Sequence, residues 1–348
     1  MKKAYLIRYG AFGDQINMSN VIKALDLDGW HISMEYNWKG AQIHAHNPRI
    51  RSHHFFEPSK IKSEKERFAW FDRLESIAKN HDLFINFSQS LENSLIAPEE
   101  SPEYFWPLWM RRQKNTHICY YDQSMKWAGL TAKRYMGWTG EMFFTAEEHE
   151  HIKKWLRDRG LENQHVILWA LRGTMYQKAV YPMAHELCTQ WLDRHPESTI
   201  ITTGDEFCKK FEWDHPRVIH QSARMPFRQA LHLAGYVDMV VTPETGLGIG
   251  AGAFGTPKIM LLTAASLKNI VGNDENDYSI QSPAWCSPCT RAIYNTANCP
   301  INEKSGMLIC VDFDKTVVLK RMEELYANHG LHNLRRRNAP PDQRPVYM

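Results

Sequence analysis

The chain has 348 residues, 43% apolar and 23% charged, and a formal charge of +3. That length holds two ordinary domains and that composition excludes a disordered chain, while so small an excess of charge does not compel nucleic-acid binding. No apolar run reaches the ~18 residues of a membrane span, and seven cysteines, an odd number, fit a reducing compartment better than a disulfide framework.

Met1-Lys2-Lys3 leads at once into the strand-like Ala4-Tyr5-Leu6-Ile7, so no signal peptide is expected and the protein reads as soluble and cytoplasmic. After Arg8 comes the loop Tyr9-Gly10-Ala11-Phe12-Gly13-Asp14, then helical spacing through Ile16, Val21, Ile22 and Leu25. Further strands are expected at 32–36 and 83–87, with a helix over 63–79 between them; the aromatic-rich stretch 101–136 is not assignable. A capping-box pattern at Thr145-Ala146-Glu147-Glu148 opens a helix to about Arg159 and marks a junction. Beyond it, strands at 166–170, 199–203, 218–220, 239–241 and 258–262 alternate with helices at 182–194, 207–211 and 227–234. Such alternation argues for a parallel sheet with helices on both faces. The expected division is a first domain over 1–144, a second over 145–315, and a helix with a mobile tail over 316–348. Two α/β domains in tandem place a ligand cleft between them.

The most informative motif follows the apolar run Met239-Val240-Val241: Thr242-Pro243-Glu244-Thr245-Gly246-Leu247-Gly248. An acid, a hydroxyl and a glycine turn end a buried strand there, and small residues open a helix whose first N–H groups favour an anion. Trp169-Ala170-Leu171-Arg172-Gly173-Thr174 leaves another strand and reaches Lys178; both cations would neutralise phosphate oxygens, or stand solvated in a loop. Thr203-Gly204-Asp205 ends a third strand at the same edge and is expected to line the nucleotide pocket. Gly10-Ala11-Phe12-Gly13-Asp14 lacks the third glycine of a dinucleotide fingerprint and the Gly-Lys-Ser/Thr of a P-loop. Asp14 is either a helix cap or a general base pushed out by the turn.

Four ordered features resemble the heptosyltransferase-like glycosyltransferase family 9. They are Ile7-Arg8-Tyr9-Gly10-Ala11-Phe12-Gly13-Asp14; His46-Asn47-Pro48-Arg49-Ile50; Lys178 ahead of Tyr181-Pro182; and Glu244-Thr245-Gly246-Leu247 followed by Ala253-Phe254-Gly255-Thr256-Pro257-Lys258. The resemblance implies a GT-B fold, two Rossmann-like doubly wound domains facing across a cleft, the first binding the acceptor and the second the nucleotide sugar. It implies inverting, metal-independent transfer of a sugar from a nucleotide-diphosphate donor to a glycan or lipid-linked glycan such as lipopolysaccharide core. Asp14 would take the acceptor proton. Arg172, Thr174, Lys178, Gly204, Glu244, Thr245, Gly246 and Leu247 would hold the donor, and Gly13, Gln15, Trp106 and Arg111 the acceptor. Three departures fall on the donor pocket: Glu244 for the family's Asp, Ile249 for its His, and Lys178-Ala179-Val180-Tyr181-Pro182 for its "K-R-W-P". A nucleotide-diphosphate sugar is therefore implied without specifying ADP-heptose.

Two further readings stay open. Basic segments at 60–67, 111–114 and 335–337 would suit a DNA acceptor, as in phage-type DNA glycosyltransferases, and the donor-loop changes would suit a binding protein without catalysis. The stretch Tyr104-Phe105-Trp106-Pro107-Leu108-Trp109-Met110-Arg111-Arg112 is either an aromatic plug in the first domain's core or an exposed surface for a sugar, a base or a peripheral membrane contact. His53-His54, with no third ligand nearby, is read as surface. Cys286, Cys289, Cys299 and Cys310 would form a structural zinc site, or else stay packed thiols or a labile disulfide; Cys119, Cys188 and Cys208 read as core. No cofactor is expected for catalysis itself.

Overall fold

The computed structural model describes residues 1–88, 96, 97, 99, 101–295, 299–301, 308–334 and 337. The chain forms two compact units, Met1–Glu92 with Tyr120–Phe143, and Asn93–Cys119 with Phe144–Met348.

Unit 1 begins β1 (Lys3–Arg8), α1 (Phe12–Leu27), β2 (His31–Tyr36), α2 (Trp38–His44), β3 (Ile50–Phe55), α3 (Glu64–Lys79) and β4 (Leu83–Asn86). The strands are all parallel, in the order β3-β2-β1-β4. Alternation along β1 divides the core between the two faces of the sheet. Leu6 packs with Met18, Ile22 and Leu25 of α1, whereas Tyr5 and Ile7 pack with Leu74 of α3. Helix α4 (Leu108–Asn115) belongs to unit 2, and α5 (Tyr120–Trp127) returns the chain to unit 1, where Met125 joins the α1 side of the core.

Unit 2 continues α6 (Ala146–Arg157), β5 (His165–Ala170), α7 (Ala184–Arg194), β6 (Ser198–Thr203), β7 (Val218–His220), α8 (Phe227–Ala234), β8 (Met239–Pro243), α9 (Gly246–Ala253), β9 (Lys258–Leu262), α10 (Leu267–Val271), β10 (Ile280–Gln281) and α11 (Lys315–His329). Its sheet is parallel in the order β10-β9-β8-β5-β6-β7. Every residue of β5, β6, β8 and β9 is buried, as a sheet covered on both faces requires. Trp169 of β5, Trp191 of α7 and Met322 of α11 anchor one core. Helix α6 opens as its sequence demands: the Thr145 hydroxyl accepts the Glu148 N–H, and the Glu148 carboxylate accepts the Thr145 N–H.

The two units are drawn differently from the expected domain limits, with 316–348 counted in unit 2. Segment 93–119, read as part of the first domain, is an excursion into unit 2. Ala97 bridges Arg291, whose Nε donates to the Tyr104 carbonyl at 2.7 Å. The Asn269 side-chain amide donates to the Asn115 and Ile118 carbonyls, at 2.7 Å each. The basic run at 335–337 also reads differently. Arg337 is buried, ion-paired with buried Asp238 at 2.7 Å and bonded to the Leu161 and Gln164 carbonyls, so it is a tether and offers no charge to a nucleic acid. Arg335, Arg336 and the Pro-rich end lie outside the described residues.

Three histidines are buried in neutral form. Desolvation is the first cause in each case, holding His44 and His165 down to about 3 and His232 to about 2. A group that stays neutral when folded but protonates near 6.5 when unfolded makes the unfolded chain bind more protons, so folding weakens as pH falls below that value. Thermal melts from about pH 7 down to about pH 5 are expected to show a steadily falling melting temperature; a flat profile would mean these rings can take up protons in place.

Candidate functional site

In unit 1 the turn between β1 and α1 is braced from three directions. Arg8, fully buried at the end of β1, donates through Nη1 to the Phe87 carbonyl at 2.7 Å, and its Nη2 lies 3.0 Å from Asp14 Oδ1. Asp14 Oδ2 accepts the Ala11 N–H at 2.6 Å, so the carboxylate closes the first turn of α1. Asn37 Nδ2 donates to the Tyr9 carbonyl at 2.7 Å, and Gln15 Nε2 to the Arg8 carbonyl at 2.9 Å. A Cβ on Gly10 would fall 2.4 Å from Asp14 Oδ2 and 2.6 Å from Asp14 Cβ, which is why the turn needs glycine there. Asp14 keeps 24% side-chain exposure, so a carboxylate with defined orientation reaches solvent.

In unit 2, β5 pairs with β6 on one side and β8 on the other, so the strand order reverses at β5. The connections that follow β5 and β8 open a crevice at the carboxyl edge of such a sheet. Three predicted residues, Lys178, Glu244 and Thr245, meet there. Lys178 Nζ is 3.3 Å from Glu244 Oε1, and Glu244, itself buried, accepts the Ala265 N–H on Oε2 at 3.2 Å. Gly173 donates its N–H to the Lys178 carbonyl at 2.7 Å, closing the loop after β5. A Cβ on Gly173 would lie 2.9 Å from Lys178 Cβ and 3.1 Å from Thr245 Cγ2, so the two loops touch only because position 173 is bare. Thr245 precedes α9, yet its hydroxyl bonds Thr242 Oγ1 at 2.7 Å and makes no cap to the helix's leading N–H groups. Those N–H groups, beside a lysine, favour an anion.

The other candidates are placed as follows. Arg172 turns towards the loop after β6, its guanidinium 4.5 Å from the Phe207 ring centre. Thr174 is exposed, Gly246 opens α9, and Leu247 is buried behind it. Gly204 packs on Cys208, and its carbonyl accepts the Ala223 N–H at 2.8 Å. Three acceptor candidates are buried. Gly13 and Gln15 are buried within α1, and Arg111 is buried in unit 2, with Nε donating to the Cys289 carbonyl at 3.0 Å and Nη1 to the Trp106 carbonyl. Trp106 is half-buried in unit 2. The aromatic stretch is not a plug of the first domain: Tyr104 is buried, while Phe105 and Trp109 are exposed. Cys286, Cys289, Cys299 and Cys310 line one cavity of about 20 Å³ in unit 2. Among the described residues, no group of three or more His, Cys, Asp or Glu side chains is gathered as a metal site, and no helix is long and apolar enough to cross a membrane. Arg8 and Thr242 stand in the motifs quoted from the sequence but were given no role there; the structure sets Arg8 against Asp14 and Thr242 against Thr245. Arg8 did carry a signal, a charge between an apolar run and a glycine.

No protein-family model matches the chain, and no curated protein matches it. Solved structures do. A glycosyl transferase family 9 protein from Veillonella parvula superposes with a TM-score of 0.68 at 13% identity, over 94% of this chain and 97% of that one. E. coli ADP-heptose LPS heptosyltransferase II gives 0.62 at 14%, over 94% and 99%. E. coli heptosyltransferase WaaC with ADP gives 0.57 at 14%, over 93% and 99%. At these identities the likeness is one of fold: the chain has the two-unit parallel α/β, GT-B fold of these proteins.

The close packing at Gly10 yields a direct test. In Gly10→Ala the new methyl displaces Asp14 from Ala11 and Arg8, and a stability loss of about 1–3 kcal/mol is expected. Thermal denaturation reads the loss, and faster hydrogen exchange at the start of α1 locates it; an unchanged melting temperature would show that the turn is loose.

Proposed function

We propose that the protein is a glycosyltransferase that moves a sugar from a nucleoside-diphosphate donor to a hydroxyl of a glycan acceptor, with inversion and without a catalytic metal. One observation carries the reading: Lys178, Glu244, Thr245 and the start of α9 meet where the strand order of unit 2 reverses. The fold likeness supports it, since the similar structures are named as glycosyltransferases and one is a heptosyltransferase with ADP.

In this reading the donor diphosphate lies between Lys178 and the leading N–H groups of α9. The acceptor oxygen bonds to the sugar's anomeric carbon as the bond from that carbon to the diphosphate breaks. Negative charge grows on the departing phosphate oxygens, where a fixed ammonium and helix N–H groups lower the barrier most. Glu244 holds Lys178 in place before the donor arrives and offers its carboxylate to a sugar hydroxyl. Arg172 and Phe207, at the neighbouring β6 loop, face the nucleoside end. The acceptor proton passes to Asp14, whose orientation Arg8 and the Ala11 N–H fix.

Asp14 has a structural duty as well, and one substitution separates the two. Asp14→Asn keeps an oxygen for the Ala11 N–H but cannot take a proton. With nucleotide-sugar panels and glycan acceptors, turnover is expected to fall by about 10²- to 10⁴-fold with donor affinity little changed, while the melting temperature falls because buried Arg8 loses its counter-charge. A variant that transfers sugar as fast as the wild type would remove Asp14 from the chemistry.

A further inference from the structure

We propose, resting on the donor site read above, that Gln177 is the positioning residue for the Lys178 ammonium. Its side-chain amide stands in for a peptide unit and splices the turn carrying Lys178 onto segment 290–293. Lys178 lies in no strand and no α-helix. It ends a single 3₁₀ turn, Tyr176–Lys178, in the connection between β5 and α7. There the Gly173 N–H donates to the Lys178 carbonyl and the Lys178 N–H to the Met175 carbonyl. Such bonds close a turn on itself without fixing where it sits, and connections of this kind are ordinarily among the more mobile parts of a fold.

The groups that fix its place are buried. Gln177 is 1% exposed, and its amide is fully used. Nε2 donates to the Arg291 carbonyl at 2.8 Å and to Cys289 Sγ at 3.1 Å, while Oε1 accepts the Ile293 N–H at 2.9 Å. The peptide groups between these point the other way. The Thr290 carbonyl accepts the Ala97 N–H at 2.8 Å, and the Ala292 N–H donates to the Ala97 carbonyl at 2.9 Å. Segment 290–293 therefore has two hydrogen-bonding edges. Ala97 takes one as a residue of a parallel ladder does, bonding the residues before and after its partner Arg291. The Gln177 amide takes the other in the same pattern, bonding the residues before and after Ala292. A primary amide offers a donor and an acceptor on one planar group, so it can serve where no strand is present. Two further bonds fasten the splice. The Tyr176 N–H donates to the Ile293 carbonyl at 2.9 Å, and the Thr263 hydroxyl, just past β9, donates to the Gln177 carbonyl at 2.8 Å.

The segment that receives the splice is itself anchored: Arg111 Nε holds the Cys289 carbonyl at 3.0 Å, and Arg291 Nε holds the Tyr104 carbonyl at 2.7 Å. Lys178 follows Gln177 directly, and its Nζ ends 3.3 Å from Glu244 Oε1. That ion pair fixes only the tip of a flexible four-carbon stem. A donor phosphate competes with Glu244 for the ammonium and loosens the tip, whereas the Gln177 bonds hold the root of the stem throughout. Misplacing a reacting or charge-bearing group by about 1 Å can cost on the order of 10²-fold. Methionine at 177 would fill the same space with no hydrogen bond, leaving the Ile293 N–H buried and without its acceptor. The turn would then be free to drift.

The test is a double-mutant cycle between Gln177→Met and Lys178→Ala in the full chain, read by calorimetric titration of whichever of ADP, UDP, GDP and CDP the wild type binds most tightly. Gln177→Met is expected to weaken that diphosphate about threefold to thirtyfold. In the Lys178→Ala background the same change should cost less than about twofold, because the group it positions is gone. Thr263→Val removes the bond to the Gln177 carbonyl without touching the amide. It should couple to Lys178 in the same sense, and it takes the place of Gln177→Met in the cycle if that variant does not fold. Hydrogen exchange read at single amides checks the splice without any ligand. In Gln177→Met, or in Thr263→Val where it stands in, the Ile293 amide should exchange faster while that of Ala292, held by Ala97, is unmoved. An Ile293 amide as protected as in the wild type would mean there is no splice. If Lys178→Ala binds weakly while Gln177→Met binds like wild type, or if the Gln177 loss is equally large with and without Lys178, Gln177 does not act through Lys178. If the wild type binds no diphosphate, or Lys178→Ala binds it as tightly, the donor reading itself fails and takes this role with it.

Discussion

Strand β5 cannot pair with β6 on one side and β8 on the other without leaving an opening where their connections part. Most of what this protein is read to do depends on that constraint. It brings the loop after β5 against the turn after β8, with a bare glycine between Lys178 and Thr245. It also leaves the dipole of α9 pointing into the same space. The Lys178–Glu244 pair then has two roles. It satisfies the buried carboxylate, and it holds the ammonium where a phosphate would need it.

The strands that build this opening were legible because they are buried on both faces. Runs such as Met239-Val240-Val241 and Val166-Ile167-Leu168-Trp169 have no competing reading. Strand β3 was not legible: Ile50-Arg51-Ser52-His53-His54-Phe55 lies at a sheet edge with most side chains exposed, so no apolar run marks it. Strand β10 spans only Ile280–Gln281. The expected short helix at 207–211 forms as a 3₁₀ turn, Glu206–Phe211, capped by Asp205.

The site was legible as a set of residue types and illegible as a set of contacts. That Lys178 and Glu244 follow parallel strands of one sheet can be argued from spacing; that they pair cannot. Arg8 looks like a loop residue in sequence but is fully buried, because the Phe87 carbonyl and Asp14 satisfy it. Unit membership was hidden for the same reason. Nothing in 93–119 announces that Arg291 and Asn269, over 150 residues later, will claim its carbonyls. An aromatic, arginine-rich stretch therefore looks like ligand-binding surface when two of its charges are braces for the cysteine-bearing loop.

The claim beneath the whole account is that the β5–β8 opening of unit 2 takes a diphosphate. Calorimetric titration of nucleoside mono- and diphosphates into wild type and Lys178→Ala measures this most directly. The account predicts that at least one diphosphate binds, that its monophosphate binds much more weakly, and that Lys178→Ala costs about tenfold to a hundredfold in affinity. Binding that ignores the second phosphate, or that survives the loss of Lys178 unchanged, would contradict it.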